Sequence, residues 1–103
     1  MRCAVVWSVN GGPVQAGRLE LDRRALRLAG AASETGAIDE PIPYADLAEA
    51  QIERWGPSRL CGRPALVLAC RGGTRVRIAS LEGAGSLHEL ADRLESARRQ
   101  ATA

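Results

Sequence analysis

The sequence predicts a mainly β domain: six to seven antiparallel strands, forming a partly open barrel or two packed sheets, capped by one C-terminal α-helix. Up to residue 81, short segments alternate apolar and polar residues at the period of strands, and turn-forming residues separate them. After residue 85, apolar residues recur at helical spacing, so one helix is available to cover a sheet face. With 103 residues, the chain is expected to be a single domain spanning residues 1–103.

The N-terminal part predicts a strand over residues 3–9, which include three Val and one Trp and are followed by an Asn-Gly-Gly-Pro turn. A hairpin follows, with strands at residues 15–22 and 25–30. The alternation pairs two sets of leucines on one face, Leu21 with Leu26 and Leu19 with Leu28. Glu20 then lies opposite Arg27 on the other face, a favourable cross-strand pair.

The middle of the chain is harder to interpret. Residues 29–40 are small or acidic and are expected to form a loop. Residues 42–56 fit two patterns: a helical stripe through Leu47, Ile52 and Trp55, or strand alternation. We expect a helical turn near residues 44–47 and then a strand over residues 48–55, a choice that depends on a family resemblance described below.

The second hairpin has strands at residues 64–71 and 74–81 around the stretch Cys-Arg-Gly-Gly-Thr. Two registers are possible, and they differ in which face receives the aliphatic side chains. A three-residue loop, residues 71–73, pairs Leu68 with Val76 and Leu66 with Ile78 on one face. This register is favoured because it buries the aliphatics, places Gly73 at the left-handed loop position and turns the neighbouring arginines outward.

The C-terminal helix is predicted over residues 86–100. Ser86 and Glu89 match a capping box, which places Ser86 at the N-cap. The apolar stripe that follows is Leu87, Leu90, Ala91, Leu94 and Ala97.

This arrangement resembles the pleckstrin-homology-like family, in particular its bacterial members. The resemblance rests on the stretches GRLELDRRALRL, IPYADL and RPALVLACRGGTRVRIASL, which together cover roughly residues 14–98 with the closing helix. It implies that IPYADL is a turn leading into a strand. It also implies that ligands, where family members have them, are phosphoinositides or peptides.

Charge and cysteine content exclude several classes of function. The net charge is +2, with six acids and no base over residues 28–53, then six arginines and no acid over residues 54–81. This segregation is typical of two solvated, oppositely charged parts of a sheet. Cys3, Cys61 and Cys70 form no metal-ligand pattern or disulfide framework, so we expect no metal and a reducing, cytoplasmic location. No apolar stretch approaches membrane-spanning length, so we expect no transmembrane segment, and we expect no cofactor.

One surface is a candidate for binding an anion or a partner, and it consists of Arg23, Arg24, Arg71, Arg75, Arg77 and Trp55. Family members that bind lipids use basic residues around the first hairpin loop, which here contains Arg23 and Arg24 but no Lys. The alternative is that these arginines only keep exposed strands and loops soluble.

No enzyme is expected, because His88 is the single histidine and is predicted to face water on the helix. Nucleic acid is not an expected partner either, because the chain has few aromatic residues for base stacking. The sequence therefore predicts a non-catalytic protein-binding or scaffold module. The alternatives are a domain that binds an anionic headgroup or phosphorylated ligand, and a domain that associates with itself.

Overall fold

The structure, a computed structural model, describes residues 2–30, 39–53, 60 and 62–102. Within these residues, seven antiparallel strands form one curled sheet, a half-barrel, in the order β4-β3-β2-β1-β7-β6-β5. The elements are β1 (Arg2–Val9), β2 (Gln15–Leu21), β3 (Ala25–Gly30), β4 (Asp39–Pro43), a 3-10 turn (Tyr44–Asp46), β5 (Leu47–Glu53), β6 (Ala65–Cys70), β7 (Arg75–Ser80) and α1 (Ala84–Thr102). The predicted fold class is confirmed.

The central strand is β1, which pairs with β2 on one side and with β7 on the other. Apolar residues occupy both its inward-facing and its outward-facing positions, because both faces of this strand are buried. On the inner face, Cys3, Val5 and Trp7 join the main core. On the outer face, Val6 packs in a smaller cluster with Leu60, Ala65 and Ala79.

The β2–β3 hairpin has the predicted register: Leu19 faces Leu28, Leu21 faces Leu26 and Glu20 faces Arg27. One ion pair joins this hairpin to β1, and another lies within the hairpin. Glu20 pairs with Arg2 of β1 at 2.7 Å, and the Arg27 Nε donates to Asp22 Oδ2 at 3.1 Å.

Strand β4 was not predicted; residues 29–40 were expected to be a loop, yet Asp39–Pro43 pairs with β3. The two prolines conceal the strand in the sequence, because proline cannot donate to a central ladder. Since Tyr44 N donates to Arg24 O, the amides of alternate residues face β3 and the nitrogens of Pro41 and Pro43 face outward. Proline is compatible with such an edge strand.

After β4, the expected helical turn is present over Tyr44–Asp46, and β5 is a strand, not a helix. A β-bulge between Leu47 and Glu49 leaves Ala48 exposed, whereas the predicted alternation placed it with Ala50 and Ile52. Trp55 and Cys61 lie outside the described residues.

The β6–β7 hairpin has the register that burial favoured: Leu66 faces Ile78 and Leu68 faces Val76. Its loop is closed by Cys70 N donating to Thr74 O at 2.8 Å and by Gly73 N donating to Cys70 O at 3.0 Å. Gly73 has φ +94°, the left-handed conformation expected for it. The strands are one residue shorter at each end than predicted.

The helix α1 begins two residues earlier than predicted, so the predicted capping box is wrong. Leu87 N donates to Gly83 O, which makes Gly83 the N-cap residue and places Ser86 inside the first turn. The predicted apolar stripe is confirmed: Leu87, Leu90 and Leu94 are buried in the core. Through them α1 contacts β5, β6, β7 and the 3-10 turn, and it covers one side of the half-barrel. Among the described residues, no helix is both long and apolar enough to span a membrane.

Candidate functional site

The structure separates the predicted surface arginines into three places. Arg23 and Arg24 lie in the β2–β3 loop, beside the C-terminal half of α1. Arg71 lies in the β6–β7 loop, and Arg75 and Arg77 lie on the outer face of β7, as predicted. Trp55, the sixth member of the set, falls outside the described residues.

The groove beside Arg23 carries charges of both signs. It has a volume of about 580 Å³, and its lining includes Asp22, Arg23, Asp92 and Arg93. The carboxylate of Asp22 pairs with Arg27, and Arg93 pairs with Glu89 at 3.2 Å. A bound anion would therefore meet two carboxylates as well as two guanidinium groups, which weakens this groove as an anion site.

Arg71 supports the corner where β4 turns into β5. Its Nε donates to Ala45 O at 3.0 Å, and its backbone N donates to Asp46 O at 2.7 Å. These bonds tie the β6–β7 loop to the 3-10 turn. Part of the hydrogen-bonding capacity of Arg71 thus serves the fold.

Tyr44 anchors the same turn from the other side. Its side chain is buried, and its hydroxyl donates to Asp22 O at 2.6 Å. Burial, and secondarily the carboxylate of Asp22, raise the pKa of the Tyr44 phenol.

Tyr44 gives a first testable prediction, which uses the fact that it is the single tyrosine of the chain. Because the pKa of Tyr44 is raised in the folded state, its stabilising effect is complete below the unfolded value of about 10 and is lost as the pH rises through the folded value. A phenolate absorbance titration should give a higher pKa in buffer than in denaturing urea. Tyr44→Phe should lose about 1 kcal/mol at neutral pH and should reduce the alkaline loss of stability. Equal pKa values in buffer and in urea would contradict the buried position.

A cavity that was not expected from the sequence lies at the end of the half-barrel between β4 and the β6–β7 loop, and we call it the open-end cavity. Its volume is about 350 Å³, and its lining consists of Val9, Pro41, Ile42, Pro43, Asp46, Cys70, Gly72, Thr74 and Val76. Val9, Ile42, Cys70 and Val76 belong to the main core or pack against it, so the cavity reaches the interior of the sheet. The sequence feature that corresponds to this cavity is Ile42 between two prolines. It indicates a cavity only when β4 is known to be a strand.

The two cysteine thiols in the described part of the chain are not activated. Burial, and then the charge of Asp46, raise the pKa of Cys70 in the open-end cavity. Burial also raises the pKa of Cys3, with a further contribution from Glu82 that exceeds the opposing effect of the Ser86 hydrogen bond. Both thiols therefore stay protonated at neutral pH, a state that disfavours nucleophilic attack.

The described residues include no group of three or more His, Cys, Asp or Glu side chains placed to hold a metal ion. His88 is exposed on α1, as predicted.

No family model matches this chain, and no curated protein matches it. Among solved structures, it is similar to the C-terminal domain of an unknown protein from Leishmania infantum, with a TM-score of 0.62 and 15% sequence identity. The match covers 91% of this chain and 81% of that one. At this identity the likeness concerns the fold alone.

Proposed function

We propose that this domain is a non-catalytic protein-binding module whose open-end cavity receives an apolar side chain of the partner. The pleckstrin-homology-like resemblance and a cytoplasmic location are part of the same proposal. The observation that carries it is the open-end cavity itself: α1 covers one side of the half-barrel, while Val9, Ile42 and Cys70, which pack against the core, stay partly exposed between β4 and the β6–β7 loop.

The lining of the open-end cavity favours an apolar ligand group. Val9 and Ile42 supply half-buried aliphatic surface beside the buried Val76, and the two prolines of β4 flank Ile42. At about 350 Å³, the cavity lies at the lower end of the range typical of ligand sites, roughly 300–1,000 Å³. It therefore suits one or two side chains of a protein partner, whose binding would remove this apolar surface from water.

The edge of β4 favours insertion of a side chain over addition of a strand. A peptide strand that pairs with an edge needs backbone donors there, and Pro41 and Pro43 remove two of them. The partner is thus expected to be recognised mainly through its side chains at this end of the barrel.

Binding of an anionic headgroup or phosphorylated ligand is the second candidate. It would depend on Arg23 and Arg24 or on Arg75 and Arg77, which lie in the β2–β3 loop and on the outer sheet face respectively. The carboxylates of Asp22 and Asp92 in the groove beside Arg23 disfavour anion binding there.

The proposal is tested by affinity capture from a native lysate with the immobilised unmodified domain, two blocking variants and one control variant. Gly72→Trp places a large side chain at the mouth of the cavity, where a Cβ at position 72 meets no atom within 4 Å. Leu81→Glu is the control, because Leu81 is exposed and is not among the residues that line the cavity. A partner retained by the unmodified domain and by Leu81→Glu, but lost with Gly72→Trp, would support the proposal.

A second blocking variant, Ile42→Glu, adds a charge inside the cavity and should also abolish retention. Circular dichroism and thermal unfolding establish that each variant is folded. If folded Gly72→Trp and Ile42→Glu retain the same proteins as the unmodified domain, or if the unmodified domain retains none, the open-end cavity is not the binding site.

A further inference from the structure

The outer face of β5, β6 and β7 carries an ordered pattern of charge, and we call it the charged face. Its side chains are Glu49 and Gln51 of β5, Val67 and Ala69 of β6, and Arg75 and Arg77 of β7. The strand register aligns them in two rows, Glu49–Ala69–Arg75 and Gln51–Val67–Arg77. An acidic strand and a basic strand therefore flank a strand of small apolar residues.

The charged face is accessible at its corners. Glu49 and Arg75 are exposed, while Val67 and Ala69 are half-buried between them. On the side of β1, the face ends where Ser8 is buried and donates to Gly12 O at 2.8 Å. Along the strands, it ends where Leu60 packs on Ala65 and Ala79.

The opposite charges on this face lie two strands apart within one molecule. Neighbouring strands are about 5 Å apart, so the backbones of Glu49 and Arg75 are separated by about 10 Å with Ala69 between them. Neither residue takes part in the ion pairs formed among the described residues, which involve Arg2, Arg27, Arg93, Arg98 and Arg99. Glu49 does act on Arg98 through its charge, contributing to the raised pKa of that guanidinium.

This order of charges is complementary to itself. A two-fold axis that runs parallel to β6 over Val67 and Ala69 would place β5 of one copy across from β7 of the other. Each row would then lie against the same row of the other copy, with the order of its residues reversed. Glu49 of each copy would face Arg75 of the other, and Ala69 would contact Ala69 at the centre. A contact of this kind is isologous, and each favourable charge pair occurs twice.

We propose that the charged face is a weak homodimer interface, occupied by a second copy of this chain. The favoured occupant is a second copy because the same surface supplies both halves of the charge pattern in matching rows. The interface is weak and sensitive to salt, because its pairs are exposed and its apolar centre is small. It is independent of the open-end cavity, which opens to the inner face of the sheet.

The test is sedimentation equilibrium over a range of protein concentrations, at low salt and at high salt. The unmodified domain should form dimers at low salt and monomers at high salt. Glu49→Arg and Arg75→Glu should each be monomeric under the low-salt conditions, with a dimer dissociation constant raised at least about tenfold. Each change makes both of the symmetry-related contacts between positions 49 and 75 repulsive.

Two further samples distinguish this interface from a general effect of charge. An equimolar mixture of Glu49→Arg and Arg75→Glu should form a heterodimer, since arginines on one copy would then face glutamates on the other. The double variant Glu49→Arg/Arg75→Glu should recover homodimers. Arg18→Glu, the same change at an exposed residue on β2, is the matched control and should dimerise like the unmodified domain.

The proposal is overturned if the unmodified domain stays monomeric at low salt, if the mixture does not associate, or if Arg18→Glu is as disruptive as Arg75→Glu. Thermal unfolding of each variant confirms that the monomers are folded. Capture of a partner through the open-end cavity should be unaffected by these changes. The two proposals can therefore fail independently of each other.

Discussion

Gly17→Ala is expected to reduce the free energy of unfolding by about 3 kcal/mol or to prevent folding altogether. A Cβ at position 17 would lie 2.1 Å from Ala29 O and 2.9 Å from the Cα of Gly30. Both are backbone atoms of the paired strand β3, so no side-chain rotation can relieve the overlap. Gly17 faces Gly30 in the register, and this close approach of two strands requires the absence of a side chain.

The change is measured by urea unfolding, followed by the fluorescence of tryptophan and by circular dichroism. Gly72→Ala is the matched control, since its new Cβ would meet no atom within 4 Å and Gly72 is not among the glycines with positive φ. It should leave stability unchanged or raise it by up to about 1 kcal/mol by restricting the unfolded chain. An equal urea midpoint for Gly17→Ala and the unmodified domain would contradict the close approach of β2 and β3.

Leu90→Ala is expected to lower the free energy of unfolding by about 2–5 kcal/mol. Leu90 has 0% exposure and lies on the buried face of α1 between Leu87 and Leu94, in the same core cluster as the inner face of the sheet. Truncating it removes apolar contact and leaves a cavity between helix and sheet. Because α1 is the element that covers this side of the core, the loss should destabilise the whole domain and not the helix alone.

The control for Leu90→Ala is Leu81→Ala, which removes the same atoms from a side chain that is 46% exposed. Its effect should stay within about 0.5–1 kcal/mol. Thermal unfolding by circular dichroism compares the two, and a single cooperative transition should be seen for both. Equal losses from the two variants would mean that α1 does not pack on the sheet through Leu90.

The register of both hairpins was predictable, because each hairpin contains its own register information. In the β6–β7 hairpin, a three-residue loop places Leu66, Leu68, Val76 and Ile78 on a common face, whereas a two-residue loop does not. The β2–β3 hairpin has the same property through its four leucines. Local alternation and burial suffice wherever the pairing partners are neighbours in the sequence.

Local patterns predicted two elements incorrectly, β4 and the start of α1. β4 contains Pro41 and Pro43, which normally argue against a strand but are accepted on an edge whose nitrogens face outward. The start of α1 was placed at Ser86 from its capping box, whereas the chain already turns at Gly83, with φ +108°. The edge position of β4 in the sheet overrode its local signal, whereas at α1 the turn at Gly83 precedes the predicted cap.

Prediction of the candidate sites was limited most by β4, the strand that was not predicted. The open-end cavity needs β4 on one side and the β6–β7 loop on the other, so it could not be inferred while residues 29–40 were expected to be a loop. The arginines, by contrast, were found easily in the sequence but could not be grouped. Arg71 lies at the corner of the barrel, while Arg75, four residues later, lies on the outer face of the sheet.

The sequence by itself determined the fold class, the two hairpin registers and the buried stripe of α1, because each follows from periodicity within one continuous stretch. Only the tertiary structure decided that β1 lies between β2 and β7, that β4 forms an edge, and that Glu49 and Arg75 share one face across Ala69. These features join segments far apart in the chain. Their pairing depends on how the sheet curls around a common core, and no local pattern of residues contains that information.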